Sequence, residues 1–254
     1  MKIMSIANQK GGVGKTTTAF NVGAGLARQG KKVLLIDFDP QGNLSQYLGF
    51  EDDNLPTINE IMLETVSNRK IEIEPLIRTN RNENVDYIPS NISLSAAEFF
   101  LTNSMCRESI LKKILQNPAF LGYDYIIIDC LPSLGILQIN ALTASNSVII
   151  PVQTQKFALD GLSYFWSVFE MVKENLNPNL TIEGILATMY DNTNMSKAVI
   201  QALQEEYWDK VYRVKIDKLS EATYSTHEQK SLVNDKKSRL GEQYNEIVRL
   251  IADE

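Results

Sequence analysis

A chain of 254 residues, 44% of them hydrophobic, can bury a sizeable core, and its length sets a prior of one to two domains. It has no apolar run near the roughly 18 residues that a membrane span needs, and its start, MKIMSIANQK, meets polar residues too soon for a secretory signal. A formal charge of −6 disfavours nucleic acid taken by itself, two cysteines (Cys106 and Cys130) without ligand spacing fit a reducing cytoplasm and oppose a zinc or iron–sulfur site, and one histidine, His227, leaves a histidine triad without material.

In chain order, KIMSIA, KKVLLID, YDYIIID, SVIIPV and TIEGILATM read as strands. They are continuous apolar runs rather than alternating ones, as a parallel sheet covered on both faces requires. The spacing predicts a helix from Thr16 to Arg28, closed by Gly30. A second helix carries the stripe Leu162, Phe165, Trp166, Phe169, Val172 and Leu176 and stops at Pro178. The alternation predicts an α/β fold, a doubly wound, mostly parallel sheet with helices on both faces, as a single domain over 1–254. GFEDDNLPTIN and RTNRNENVD are the expected exposed loops. The final NEIVRLIADE reads as a last helix with Ile247, Leu250 and Ile251 as core contacts.

Three strands end in chemistry, SIANQKGG, LLIDFDPQ and IIIDCLPS, and open α/β sheets bind ligands at the carboxyl ends of their strands. The usual phosphate loop, G-x-x-x-x-G-K-[ST], fails here at Gln9; what stands is KGGVGKTT, residues 10–17. Gly11, Gly12 and Gly14, with Val13 between them, let the backbone curl with its N–H groups inward. A helix beginning near Thr16 and Thr17 adds its positive end. Lys15 is placed for the β- and γ-phosphates of ATP, and Thr16 for Mg²⁺. Lys10 is a second lysine on one short loop, either a solvated cation or one that a polyphosphate holds against Lys15. Asp37 and Asp39, two apart in extended chain, project to one side; they are either a turn aspartate with a surface neighbour or carboxylates for metal and water. Asp129 ends its strand as a candidate metal-side aspartate.

KGGVGKTT resembles the deviant Walker A box of the ParA/Soj/MinD ATPases, within the P-loop NTPase fold. The resemblance continues through VLLIDFDPQGNLSQYLG, YDYIIIDCLPSLG, IPVQTQKFALDGL and TMYDNTNMS to LSEA and KKSRLGEQY. It covers nearly the whole chain and is greatest to the ParA/Soj partition ATPases. It implies that Lys10 crosses a dimer interface to the phosphates of the other subunit. It also implies that residues 10–17 bind ATP, that Asp39 positions the attacking water, and that Thr16, Asp37 and Asp129 serve Mg²⁺. The family has two prolines after the cysteine, whereas DCLPSLG has Leu131 in the first place.

The resemblance further implies slow hydrolysis, a homodimer with ATP, a ParB-type centromere-binding partner, non-specific double-stranded DNA, and a nucleoid-associated place in the cytoplasm. Candidate DNA contacts are Lys197, Arg213, Lys215, Lys218, Lys236 and Lys237, in a stretch, Met195 to Arg239, with nine basic against seven acidic residues. Here DNTNMS has Asn192 where relatives often carry arginine, and IDKLSEA is shorter than its counterpart, with Asp217 beside Lys218. The same stretch helps hold the adenine in relatives. The acidic C-terminus does not suit a membrane-recruiting amphipathic helix. With the phosphate loop starting at residue 8, no helix-turn-helix domain is expected ahead of it. Two other functions share this fold: an ATP-dependent small-molecule ligase or kinase, and a switch that acts on a protein partner without DNA.

Overall fold

The computed structural model describes residues 1–156 and 158–252. One seven-stranded sheet comprises β1 (Lys2–Ile6), β2 (Val33–Phe38), β3 (Arg78–Asn80), β4 (Val85–Ile88), β5 (Tyr125–Cys130), β6 (Ser147–Gln153) and β7 (Thr181–Thr188). The order is β3-β4-β2-β5-β1-β6-β7, parallel except for β3, which runs antiparallel to β4. The helices are α1 (Lys15–Arg28), α2 (Asn43–Tyr47), α3 (Ile58–Val66), α4 (Ala97–Thr102), α5 (Ile110–Leu115), α6 (Ile136–Ala144), α7 (Ala158–Asn175), α8 (Asn194–Tyr207), α9 (Glu221–Glu228) and α10 (Arg239–Ala252).

The continuous apolar runs are explained by two cores. Val33, Leu35, Ile127 and Ile149 pack on the face that also buries Leu26 of α1 and Tyr244 and Val248 of α10. Their chain neighbours Leu34, Ile36, Ile126, Ile128 and Val148 pack on the other face with Leu142 of α6 and Phe165 and Phe169 of α7. A strand buried on both sides has no place for polar alternation. On the first face α1 and α10 approach closely. A Cβ on Gly25 would lie 2.6 Å from Val248 Cγ2.

All five expected strands are present, and α1 ends as expected at Gly30, whose φ of 84° suits a residue without a Cβ. RTNRNENVD is different from its expectation. It is the β3–β4 hairpin that closes one edge of the sheet, with Asn84 at φ 54° in the turn. Its first strand, Arg78–Asn80, is short and polar and runs straight into turn residues 81–84, so turn chemistry hides the pairing. In α7, Leu162, Phe165, Phe169 and Val172 are buried, while Trp166 stacks on Tyr207 of α8 at 4.8 Å between ring centroids. In α10, Ile247 and Ile251 are core residues, but Leu250 is 46% exposed, which corrects its expected place. At 100° per residue it falls off the stripe made by Tyr244, Ile247, Val248 and Ile251. Asp253 and Glu254, the acidic end of that segment, lie outside the described residues. Among the described residues no helix is long and apolar enough to cross a membrane.

Candidate functional site

The strand order places β2, β5 and β1 side by side, so the three chemistry-bearing strand ends meet at one edge. Register fixes their heights: Ile6 pairs with Asp129, and Asp129 with Asp37.

The phosphate loop leaves β1 and enters α1 at Lys15. Gly12 at φ 69° and Gly14 at φ 87° take left-handed conformations, which turn successive amides the same way. Loop and sheet are tied at both ends. Asn8 Nδ2 donates to the Pro151 carbonyl at 2.7 Å, and Thr188 Oγ1 to the Val13 carbonyl at 2.9 Å. Lys15 Nζ donates across the loop to the Lys10 carbonyl at 3.0 Å. Burial pulls its ammonium below the usual lysine range, while Asp129, Cys130 and Asp39 push back toward the charged form. The Lys10 side chain has no hydrogen-bond or ion-pair partner among the described residues.

The three aspartates divide into different environments. Asp39 lines the phosphate cavity and caps the turn that follows, accepting from Gln41 N at 2.8 Å. Asp37 stands behind that wall. It accepts from Ser45 N and Ser45 Oγ, both at 2.7 Å, and from Asp39 N at 3.2 Å, so its oxygens hold α2 rather than face the cavity. Burial, only partly offset by these bonds, lifts its carboxyl to about 6. Asp129 is buried with neither carboxylate oxygen hydrogen-bonded in normal geometry. Burial, then the neighbouring Asp37, pushes its pKa well above the carboxylate range, against the pull of the Thr16 hydroxyl and Lys15. A buried acceptor pair with no donor, beside a threonine hydroxyl, matches a hard cation that keeps most of its waters and takes few protein ligands.

A cavity of about 510 Å³ lies over the loop, floored by Gly11, Gly12, Lys15, Thr16 and Thr17 and bounded by Asp39 and Pro132. Its far wall comes from α2 and from the end of α9 (Tyr47, Thr226, His227 and Gln229). Motif spacing misses that wall, since α9, Glu221–Glu228, lies roughly 210 residues after the loop it faces. A second cavity of about 450 Å³ opens beside Gly14 and Thr17, between Thr188–Met189 and residues 217–223. It has the position and apolar lining of a base pocket.

Of the candidate DNA contacts, Lys197, Arg213, Lys218, Lys236 and Lys237 are exposed. Lys215 is half-buried, its ammonium 3.8 Å from the centroid of the Tyr190 ring. Asp217 does not cancel Lys218. Its carboxylate turns inward, held by Arg239 at 2.6 Å and Gln243 Nε2 at 2.9 Å. The same ion pair ties the segment carrying Lys236 and Lys237 to the one carrying Lys218. Asn192, where relatives often carry arginine, sits at φ 62°, a conformation that asparagine tolerates.

Residues 1–182 match the family model described as AAA domain. The chain is 44% identical to the sporulation initiation inhibitor protein Soj of Bacillus subtilis, over 99% of this chain and 98% of Soj. Among solved structures, a putative plasmid partition protein of Borrelia burgdorferi bound to AMPPNP is similar with a TM-score of 0.83 and 27% identity, covering 99% of this chain and 98% of that one. A cobyrinic acid a,c-diamide synthase of Mycobacterium smegmatis with bound ATP analog and magnesium gives 0.85 and 33%, over 99% and 94%. Full-length identity at this level, together with a phosphate loop, a buried aspartate and a paired strand-end carboxylate in one crevice, shows that the chain belongs to the Soj/ParA family of partition ATPases.

Proposed function

We propose that this protein is an ATP-switched dimer that segregates DNA, binding duplex DNA without sequence preference in its ATP state and releasing it when a ParB-type partner stimulates hydrolysis. The observation that carries the ATP chemistry is the unpartnered Asp129 carboxylate beneath a phosphate loop. The loop amides and Lys15 hold the polyphosphate. Thr16 and Asp129 would hold Mg²⁺, with Asp37 behind them bracing α2. Mg²⁺ would there supply charge neutralisation to the polyphosphate. Asp39 orients the attacking water. Phosphoryl transfer asks for positioning and charge stabilisation rather than covalent catalysis, so these few groups suffice.

Lys10 carries the switch. Its free side chain beside the buried Lys15 supports delivery in trans, where a tetra-anionic triphosphate offsets the repulsion of two ammonium groups. Nucleotide binding and dimerisation then become one event. Lys10→Ala is expected to bind ATP like the wild type and to stay monomeric with it, measured by multi-angle light scattering; normal ATP dimers from the variant would refute the role. The exposed Lys197, Arg213, Lys218, Lys236 and Lys237 support the DNA face, and a two-fold dimer would double it. A ligase on this fold is favoured by the name of the Mycobacterium smegmatis structure. Against it stands the 44% identity to Soj over 99% of this chain.

A further inference from the structure

His227, the only histidine of the chain, has no part in the chemistry assigned so far. It occupies the last turn of α9, and the helix stops at Gln229 with φ 53°, a left-handed conformation that costs a residue with a Cβ and persists only where its surroundings impose it. Those surroundings are α2. Gln229 Nε2 donates to the Gln46 carbonyl at 2.8 Å, and the Tyr47 and Ser225 hydroxyls bond to each other. Ser225 Oγ in turn donates to the Lys230 carbonyl at 2.6 Å, closing the chain back on the helix. The last turn is thereby fixed as a wall of the phosphate cavity, with His227 across from Gly11, Gly12 and Lys15.

Besides the tyrosine phenol of Tyr47, the chargeable side chains lining this cavity are Lys15, Asp39 and His227. Lys15 is on the floor and Asp39 is an acid, so the far wall offers a polyphosphate one group able to carry positive charge. The imidazole is free to reach it, being 83% exposed. Nδ1 faces Glu228 Oε1 at 3.6 Å, and the other Glu228 oxygen is 3.5 Å from Lys230 Nζ, so Nε2 is the ring nitrogen not turned to that carboxylate. The base-side cavity takes Ser220, Ala222 and Thr223 from the start of α9 and does not include His227.

We propose that His227 is a polyphosphate-binding residue that donates its Nε2–H to a β- or γ-phosphate oxygen, so that α9 contacts the base with its first turn and the phosphates with its last. This assignment rests on the ATP-binding function proposed for the same cavity. The test titrates fluorescent ATP and ADP analogues against wild type, His227→Ala and His227→Lys, with thermal melting of each without nucleotide. His227→Ala should weaken ATP by about three- to tenfold, the net worth of one ordinary hydrogen bond, with unchanged melting, and should weaken ADP equally if the contact is to the β-phosphate and not at all if it is to the γ-phosphate. His227→Lys should recover most of the affinity. Unchanged affinity in His227→Ala while the wild type binds would overturn the assignment and leave the ATPase function intact. A loss that lysine does not restore and that accompanies a lowered melting temperature would make His227 a structural residue and overturn it too. A wild type that binds neither nucleotide would overturn the proposed ATP function itself.

Discussion

Asp129 and Asp37 set the electrostatic character of the site. Each is a buried carboxyl pushed toward its neutral form, Asp37 to about 6 from an ordinary 3.8 and Asp129 further in the same direction. Between those values the folded chain binds more protons than the unfolded chain. Stability without ligand therefore falls as pH rises through that window, with Asp129 extending the fall toward neutral pH. Removing the buried charge reverses the penalty. Asp129→Asn is expected to melt higher than wild type without nucleotide at neutral pH, by about 2–4 °C per kcal/mol relieved. It should also show a flatter stability profile as pH rises above the ordinary carboxylate range, and lose the extra stabilisation that Mg²⁺ adds to ATP. Calorimetry from that pH range upward, with and without Mg²⁺, checks all three outcomes. A variant that melts lower than wild type and keeps the Mg²⁺ effect would remove Asp129 from the metal site.

At the scale of elements, the site depends on how α1 is seated, because its N-terminus is the phosphate loop. Gly25 lets α1 lie against Val248 of α10, and Tyr244 of α10 shares a hydrogen bond with Thr18 at 3.2 Å. Gly25→Ala would gain about 1 kcal/mol of helix propensity but force a methyl to 2.6 Å from Val248 Cγ2. The expected net is a loss of about 1–2 kcal/mol in urea unfolding, relieved in the double variant with Val248→Ala. Additive losses in the double variant would mean that the two residues do not compete for that space. What the sequence made legible follows the range of each signal. KGGVGKTT and the doubly buried strands are local patterns, and each appears where expected, whereas Asp37, expected on the metal side, turns its carboxylate to Ser45 of α2. The β3–β4 hairpin is hidden by the short polar strand β3 and its turn-rich connection, and Leu250 by an apolar identity that the helix turns outward. The α9 wall, with His227, Gln229 and Ser225, was illegible for another reason. Nothing within α9 announces a ligand; its contacts with Gln46 and Tyr47 bring it to the cavity.

For the whole molecule the question is whether the nucleotide state governs a DNA-binding face. The chain is acidic overall at −6, yet its exposed Lys218, Lys236 and Lys237 sit on the two segments that the Arg239–Asp217 ion pair joins. Burying the Asp217 carboxylate lets Lys218 act as an unopposed cation, and a dimer would present two such faces to one duplex. Contacts of this kind release counterions, so binding must weaken steeply with salt. Asp39→Ala, which should keep the phosphate loop and metal groups but not orient the attacking water, is the form to use because it should hold the ATP state without hydrolysis. The decisive measurement is binding of random-sequence duplex DNA to this variant with Mg²⁺–ATP or Mg²⁺–ADP across a salt series. Binding with ATP alone, weakening steeply with salt and reduced by Lys218→Ala, is the expected result. Dimers confirmed by light scattering that bind no DNA in either nucleotide state would contradict DNA segregation and leave a nucleotide switch whose target is a protein.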